Sequence, residues 1–180
     1  MRIRPGGARD IPAVMALLDE AGEWLVAQGR TGQWGTQRQS TSPRRRQQAQ
    51  LWATCDGLYL AEIGGEPVGA LVVGLPAPFA PPPDEPDLYV NLLVTSRSHQ
   101  GKGIGAALLD HAREVARSRG IGLLRLDCYA GEDRKLVRYY ESQGFTATVP
   151  LTFGQWRGQL LEQRLRQTRR HADRPPDGEA

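Results

Sequence analysis

The chain has 180 residues, 39% of them hydrophobic and 24% charged, with a formal net charge of +3. A single domain that buries about 70% of its unfolded surface suits this length, and the charge fraction excludes wholesale disorder. A mean hydropathy of −0.48, with no apolar run near the ~20 residues of a bilayer span, excludes a spanning helix, and MRIRPGGARD at the N-terminus lacks a signal-type apolar stretch.

Cys55 and Cys128 are the only cysteines, too few for a disulfide framework or a metal cluster, so a reducing cytoplasmic setting and no metal are expected. Lys102 and Lys135 are the only lysines, and arginine supplies the rest of the 23 basic residues. Together with many Ala, Gly and Pro, that bias reflects GC-rich coding. The pI of about 9.1 is therefore not read as nucleic-acid binding.

In chain order, residues 2–4 read as a short edge strand. Asp10 is an expected N-cap with Pro12 in the first turn, and Ile11, Val14, Leu17, Leu18, Trp24 and Leu25 carry helical spacing to about Gln28. A polar loop, 29–42, carries Gln33-Trp34-Gly35. Ser42-Pro43 starts a second helix through 44–54. A hairpin follows, 58–63 and 67–75, turning at Gly64-Gly65-Glu66. The proline-dense segment 76–87 cannot feed a ladder with donors and reads as a rigid loop.

Residues 88–95 form the next strand, followed by a glycine-rich turn and a helix over 103–119. The face of that helix is expected to be Ile104, Ala107, Leu108, His111, Val115 and Ala116, with Gly120 as its C-cap. A strand at 121–129, a helix at 133–143 closed by Gly144, and strands at 145–153 and 159–166 complete the domain. The order β-α-α-β-β-β-α-β-α-β-β predicts a mixed sheet with flanking helices, an α/β (α+β) fold over residues 1–165. The polar 166–180 tail is expected to be disordered.

Gln100-Gly101-Lys102-Gly103-Ile104-Gly105-Ala106 lies between a strand and a helix. Glycines allow close backbone approach, and amide N–H groups converge with the helix dipole on an anion such as phosphate. The Walker pattern fails because Gly103 follows Lys102. Gly101, Gly103, Ala106 and Asp127 satisfy a dinucleotide fingerprint. However, Ser96–His99 separate the turn from its strand, and too little chain remains for that fold. The pattern Gln/Arg-x-x-Gly-x-Gly/Ala is met by Gln100, Gly103 and Gly105.

At this point the chain resembles the GNAT superfamily of acyl-CoA-dependent N-acetyltransferases. Asn91-Leu92-Leu93-Val94 is similar to the family's central strand, Tyr139-Tyr140-Glu141-Ser142-Gln143-Gly144-Phe145 to its Tyr-Glu-x-x-Gly-Phe signature, and the element order to its fold from about residue 2 to 165. The resemblance implies a bulged central strand splayed from its neighbour. The pantetheine arm of acetyl-CoA would lie in the gap against Leu92, Leu93 and Val94, with its pyrophosphate on Gln100, Gly101, Lys102, Gly103, Ile104, Gly105 and Ala106.

It further implies direct acetyl transfer to an amine. Tyr140 would protonate the leaving thiolate, and the Val94 N–H or a neighbour's would stabilise the oxyanion. Many relatives have Asn where this chain has Asp133, seven residues before the tyrosine. Asp133 is placed in the cofactor set with a helix-capping alternative. No carboxylate lies on the central strand, so Asp127 on the following strand is the first candidate base, ahead of Glu85 and Asp87. Cys128 is assigned to packing.

The acceptor pocket is implied near Trp24, Gln33, Trp34, the 76–87 loop and 153–157. Trp34 is its most suggestive member and Glu85 its expected attraction for a cationic amine. The expected acceptor is a small-molecule primary amine, with no nucleic acid or membrane partner, and the protein itself is expected to be a monomer or homodimer. A non-catalytic acyl-CoA-binding module and a dinucleotide-binding domain are the alternatives, since fold alone does not separate enzyme from binder.

Overall fold

The computed structural model describes residues 1–166; apart from Arg166, the expected tail lies outside them. The strands are β1 (Arg2–Pro5), β2 (Leu58–Ile63), β3 (Glu66–Gly74), β4 (Asp87–Thr95), β5 (Leu123–Tyr129), β6 (Thr146–Phe153) and β7 (Trp156–Arg164). The helices are α1 (Ile11–Ala27), α2 (Pro43–Thr54), α3 (Ile104–Ser118) and α4 (Lys135–Ser142), with short 3-10 turns at Ala8–Asp10, Gln39–Thr41 and Arg97–His99. The seven strands form one sheet in the order β1-β2-β3-β4-β5-β7-β6. Only the β4–β5 pair is parallel, and α3 supplies the crossover that a parallel pair requires.

Two large cores cover the sheet faces, and a small third cluster of Tyr89, Leu151 and Leu160 lies beneath the 76–87 loop. One large core buries Leu71, Val73, Leu88, Val90 and Leu126 beneath α3 and α4. The other buries Leu60, Ala70 and Val72 beneath α1 and α2. The long apolar run of β3 serves both, because alternate residues point to opposite faces.

β4 departs from this alternation at one residue. Leu88 and Val90 face the α3 side, whereas Leu92 and Val94 face α1 and α2. The ladder explains the reversal: Val72 pairs with Leu92 and Val73 with Val90, so Asn91 is an extra residue. A bulge of one residue inverts every side chain beyond it. The Asn91 side chain donates to the Leu75 carbonyl at 3.0 Å, which fixes the kink. Beyond the bulge β4 leaves β5: their pairing runs from Asp87↔Leu123 to Val90↔Leu126 and stops. The expected bulged and splayed pair is thus present.

Several boundaries differ from expectation. β7 begins at Trp156, three residues early, because the hairpin turn is only Gly154-Gln155. On α3 the buried face includes Leu109 and Ala112, while Ala107 and His111 are partly exposed. Asp10 precedes α1 but does not cap it with its side chain. Its carboxylate instead accepts from the Gly7 N–H at 2.9 Å and pairs with Arg4 at 2.7 Å. That guanidinium holds Asp10 below the usual carboxylate range.

The 76–87 loop is anchored by a charge that the sequence reading did not single out. Arg125, 1% exposed, lies within the sheet. It donates to the Pro81 carbonyl at 2.7 Å and to Asp87 at 3.2 Å. Its Nε lies 3.2 Å from Glu162 without the alignment of a hydrogen bond. Removing one partner of a buried ion pair leaves the others uncompensated. Arg125→Leu is expected to lower unfolding stability by about 3–5 kcal/mol in urea titration; a loss below ~1 kcal/mol would show that the clamp contributes little.

Candidate active site

The gap between β4 and β5 is the first component. Among the described residues, Leu92–Thr95 keep β3 as a partner but have none on the β5 side, and Asn91 is the bulge residue itself. Asp127–Tyr129 of β5 pair only with β7. Each strand therefore offers unpaired backbone groups to the gap, which an extended, amide-bearing ligand can satisfy as a missing strand would.

The glycine-rich turn stands at the same end of the sheet. Gly101 (φ 82°) and Gly103 (φ 71°) both take the left-handed conformation, and Gly103 immediately precedes α3. A Cβ added at either position would meet no atom of the described residues within 4 Å. The glycines thus serve backbone shape and access rather than packing. The first backbone bond of the helix runs from Ala107 to the Gly103 carbonyl. Among the described residues the N–H groups of Gly101, Gly103, Ile104, Gly105 and Ala106 have no partner. Lys102 adds an exposed cation without a carboxylate partner among them. Free donors at the positive end of a 15-residue helix fit an anionic phosphate group.

Two residues of α1 brace this turn. Glu20 accepts from the N–H groups of Arg97 and Ser98 at 2.8 and 3.1 Å. The Arg97 guanidinium stacks on Trp24, 3.7 Å from the ring centroid, and reaches the Gln100 side chain at 3.0 Å. Trp24, expected in the acceptor pocket, therefore contacts the segment leading into the turn. The sequence reading missed Glu20, which carries no motif of its own.

Tyr140 is buried on α4 among core residues that include Cys128, Val137 and Phe145. Its hydroxyl makes no hydrogen bond within the described residues, and burial, reinforced by Cys128, Tyr139 and Asp127, raises its pKa. The end of α4 explains the Tyr…Gly-Phe spacing. Gly144 takes φ 89°, the Phe145 N–H returns to the Tyr140 carbonyl at 3.1 Å, and the Phe145 ring packs on that of Tyr140. A left-handed residue after the last turn satisfies the orphan carbonyls in this way. The tyrosine's place is thus set by the cap four residues later.

On β5, Cys128 faces α4 and Asp127 faces the opposite side of the sheet, with Tyr89. Burial pushes the Cys128 thiol up to about 12, so it is unsuited to nucleophilic work. Asp127 accepts a 2.6 Å hydrogen bond from the Tyr89 hydroxyl. Burial raises the Asp127 pKa, while that hydrogen bond draws it down.

The remaining expected residues fall in different places. Asp133 accepts from the Lys135 N–H at 3.1 Å, as a cap would, and pairs with Arg30 at 2.6 Å. That pair ties the α1–α2 loop to the β5–α4 loop. Trp34 packs partly buried on the α1–α2 core. Glu85 requires correction as an acceptor-site residue: it pairs with Arg164, which lies opposite Leu123. That is the other end of β5, about 13 Å of strand from Asp127. A groove of about 860 Å³ opens beside the gap end of β5, lined by Arg134, Arg157 and Gln159 among others. Arg134 is there the one non-glycine residue with positive φ, 46°, among the described residues.

These features find their counterpart in known proteins. Residues 18–145 match the Acetyltransferase (GNAT) family, and the chain belongs to that family. It is 31% identical over 103 residues to mycothiol acetyltransferase of Beutenbergia cavernae, a match covering 57% of this chain and 32% of that protein. The chain therefore spans about a third of that curated relative's length. Its fold is similar to the ribosomal-protein-alanine N-acetyltransferase of Brucella melitensis, at TM-score 0.66 and 25% identity, covering 92% of this chain and all of the other. It also resembles the yncA protein of Salmonella typhimurium with its cofactor acetyl-CoA, at TM-score 0.61 and 21% identity over 98% of each chain. The family's donor is acetyl-CoA, whose pantetheine amides suit the gap and whose pyrophosphate suits the free N–H groups of the turn.

Gly103→Asp tests the turn. The left-handed φ costs a non-glycine residue about 1–2 kcal/mol, and the carboxylate repels phosphate. Acetyl-CoA affinity, measured by calorimetry, is expected to fall at least tenfold, or ~1.4 kcal/mol. Unchanged affinity would remove the turn from the cofactor site.

Proposed function

We propose that the protein transfers the acetyl group of acetyl-CoA directly to the primary amine of a small molecule. The observation that supports this most is the placing of two titratable groups on opposite sides of the β4–β5 gap. Tyr140 lies on the α4 side and Asp127 on the other. Bound acetyl-CoA supplies an electrophilic thioester and a thiolate leaving group. Asp127 takes a proton from the incoming ammonium, directly or through one water, and frees its lone pair. Its pKa, raised above an ordinary aspartate's by burial, lies closer to neutral pH, where a base is most effective. Tyr140, whose phenol burial keeps protonated, gives its proton to the departing sulfur. The ladder turns the Val94 N–H toward β3, because the Ser96 N–H two residues on donates to the Val68 carbonyl; the N–H of Leu93 or Thr95, on the gap side, is the one to stabilise the oxyanion.

The similarity to a ribosomal-protein-alanine N-acetyltransferase favours a second reading, in which the acceptor is a peptide N-terminus. Parallel assays of small amines and an alanine-initiated peptide, followed by thiol release, separate the two. Release with acetyl-CoA and peptide alone would overturn the small-molecule reading.

Tyr140→Phe is expected to lower kcat about 100-fold while acetyl-CoA Kd stays within about twofold; an unchanged kcat would end the acid assignment. Tyr89→Phe gives a pH signature. The Tyr89 hydroxyl lowers the Asp127 pKa, so without it the base holds its proton to higher pH. The acid limb of the kcat/KM profile is expected to move upward in pH, and Asp127→Asn to abolish that limb. An acid limb unchanged in both variants would assign the base elsewhere.

A further inference from the structure

We propose that the acceptor amine carries an aryl or bulky alkyl group, received by a row of aromatic rings that leads to Asp127. This rests on the acetyl-transfer reading above and names its substrate class.

The row begins at the surface and runs inward. Phe79 of the proline-dense loop meets Phe153 of the β6–β7 hairpin edge to face, with centroids 4.6 Å apart. Phe153 meets Trp156 at 6.0 Å, and Trp156 meets Tyr129 at 6.2 Å. Tyr129 lies two residues beyond Asp127 on β5, so both side chains share one face of the sheet. This is the face of Tyr89, whose hydroxyl holds the Asp127 carboxylate at 2.6 Å. Backbone at Gly32 of the α1–α2 loop stands against the Tyr129 hydroxyl and closes the other side.

Two facts distinguish this row from ordinary core. Phe79 and Phe153 are 40% and 45% exposed, although each already has the other as a partner. The small cluster of Tyr89, Leu151 and Leu160 beneath them is covered by Ala77, Ala80 and Trp156; Phe79 and Phe153 keep their aromatic surface in water at a free-energy penalty, which a ligand relieves. The row also ends at a single carboxylate. Ring faces and a carboxylate together match an ammonium joined to an apolar body. A carboxylate-bearing amine would set like charge beside Asp127. Arg125, on the same face, is already engaged by Pro81 and Asp87, and the remaining counter-charges lie over the groove on the opposite face: Arg157 by alternation along β7, and Arg134 by its reach to Gln159.

The test compares phenethylamine, isopentylamine, ethanolamine, putrescine and phenylalanine, with acetyl-CoA and thiol release as readout. The kcat/KM for phenethylamine and isopentylamine is expected to exceed that for ethanolamine at least ~10-fold. Phe153→Ala is expected to raise KM for phenethylamine about 10-fold with kcat within about twofold, and to leave KM for ethanolamine unchanged. Phe79→Ala should act in the same direction, and the double variant less than additively, because the rings touch. Retained thermal stabilisation by acetyl-CoA verifies that each variant is folded.

Equal kcat/KM for ethanolamine and phenethylamine, or a KM insensitive to both substitutions, would overturn the aromatic proposal and leave acetyl transfer standing. Preference for phenylalanine over phenethylamine would overturn it in favour of the arginine groove. Acetyl-CoA binding without transfer to any amine or peptide would overturn the enzymatic reading itself.

Discussion

The β4–β5 ladder ends at Val90 and Leu126, and the site depends on that ending. A parallel pair continued to Thr95 and Tyr129 would satisfy every backbone group and leave no room for a ligand. Asn91 prevents this by adding one residue to β4. It breaks register with β3, turns β4 aside, and inverts its alternation so that Leu92 and Val94 remain buried after the turn, now on the other face. The opening is thus compatible with a closed core on both sides. Its open backbone groups are the cost of the fold and the substance of the site.

Around this gap the polar anchors act on loops, not on the core. Arg125 holds the proline-dense loop through its Pro81 carbonyl and Asp87. Glu20 holds the approach to the glycine turn, and Arg30 and Asp133 join the two loops at the mouth of the gap. Each reaches across many residues of sequence. Loops of this kind cannot bury enough apolar surface to fix themselves, so charge-assisted hydrogen bonds do so.

These long-range anchors also mark where reading the sequence stops. The fold was legible because each element announces itself locally: Ser42-Pro43 starts α2 with the Ser42 hydroxyl accepting from Arg45, and apolar runs mark the central strands. The cofactor side was legible for a similar reason, since an anion turn and a helix cap require particular residues at fixed spacing. The acceptor side was not. Glu85 and Trp24 have the right chemistry, but only the three-dimensional structure shows that their partners are Arg164 and Arg97. Glu20, Tyr89 and Arg125 read as ordinary members of amphipathic patterns. The aromatic row joins three separate segments, and no periodicity connects them.

The unpaired N–H groups ahead of α3 bear on how the protein meets its ionic surroundings. An anion seated there is held by fixed peptide dipoles at contact distance. Such groups have no pKa in the biological range, and counterions cannot enter between a donor and the oxygen it touches. Affinity built this way is expected to vary little with ionic strength or pH, unlike that of a lysine cluster. It also lends no long-range pull toward polyanions, and an arginine-rich chain of net charge +3 can thereby select one small anion by shape rather than attract many by charge.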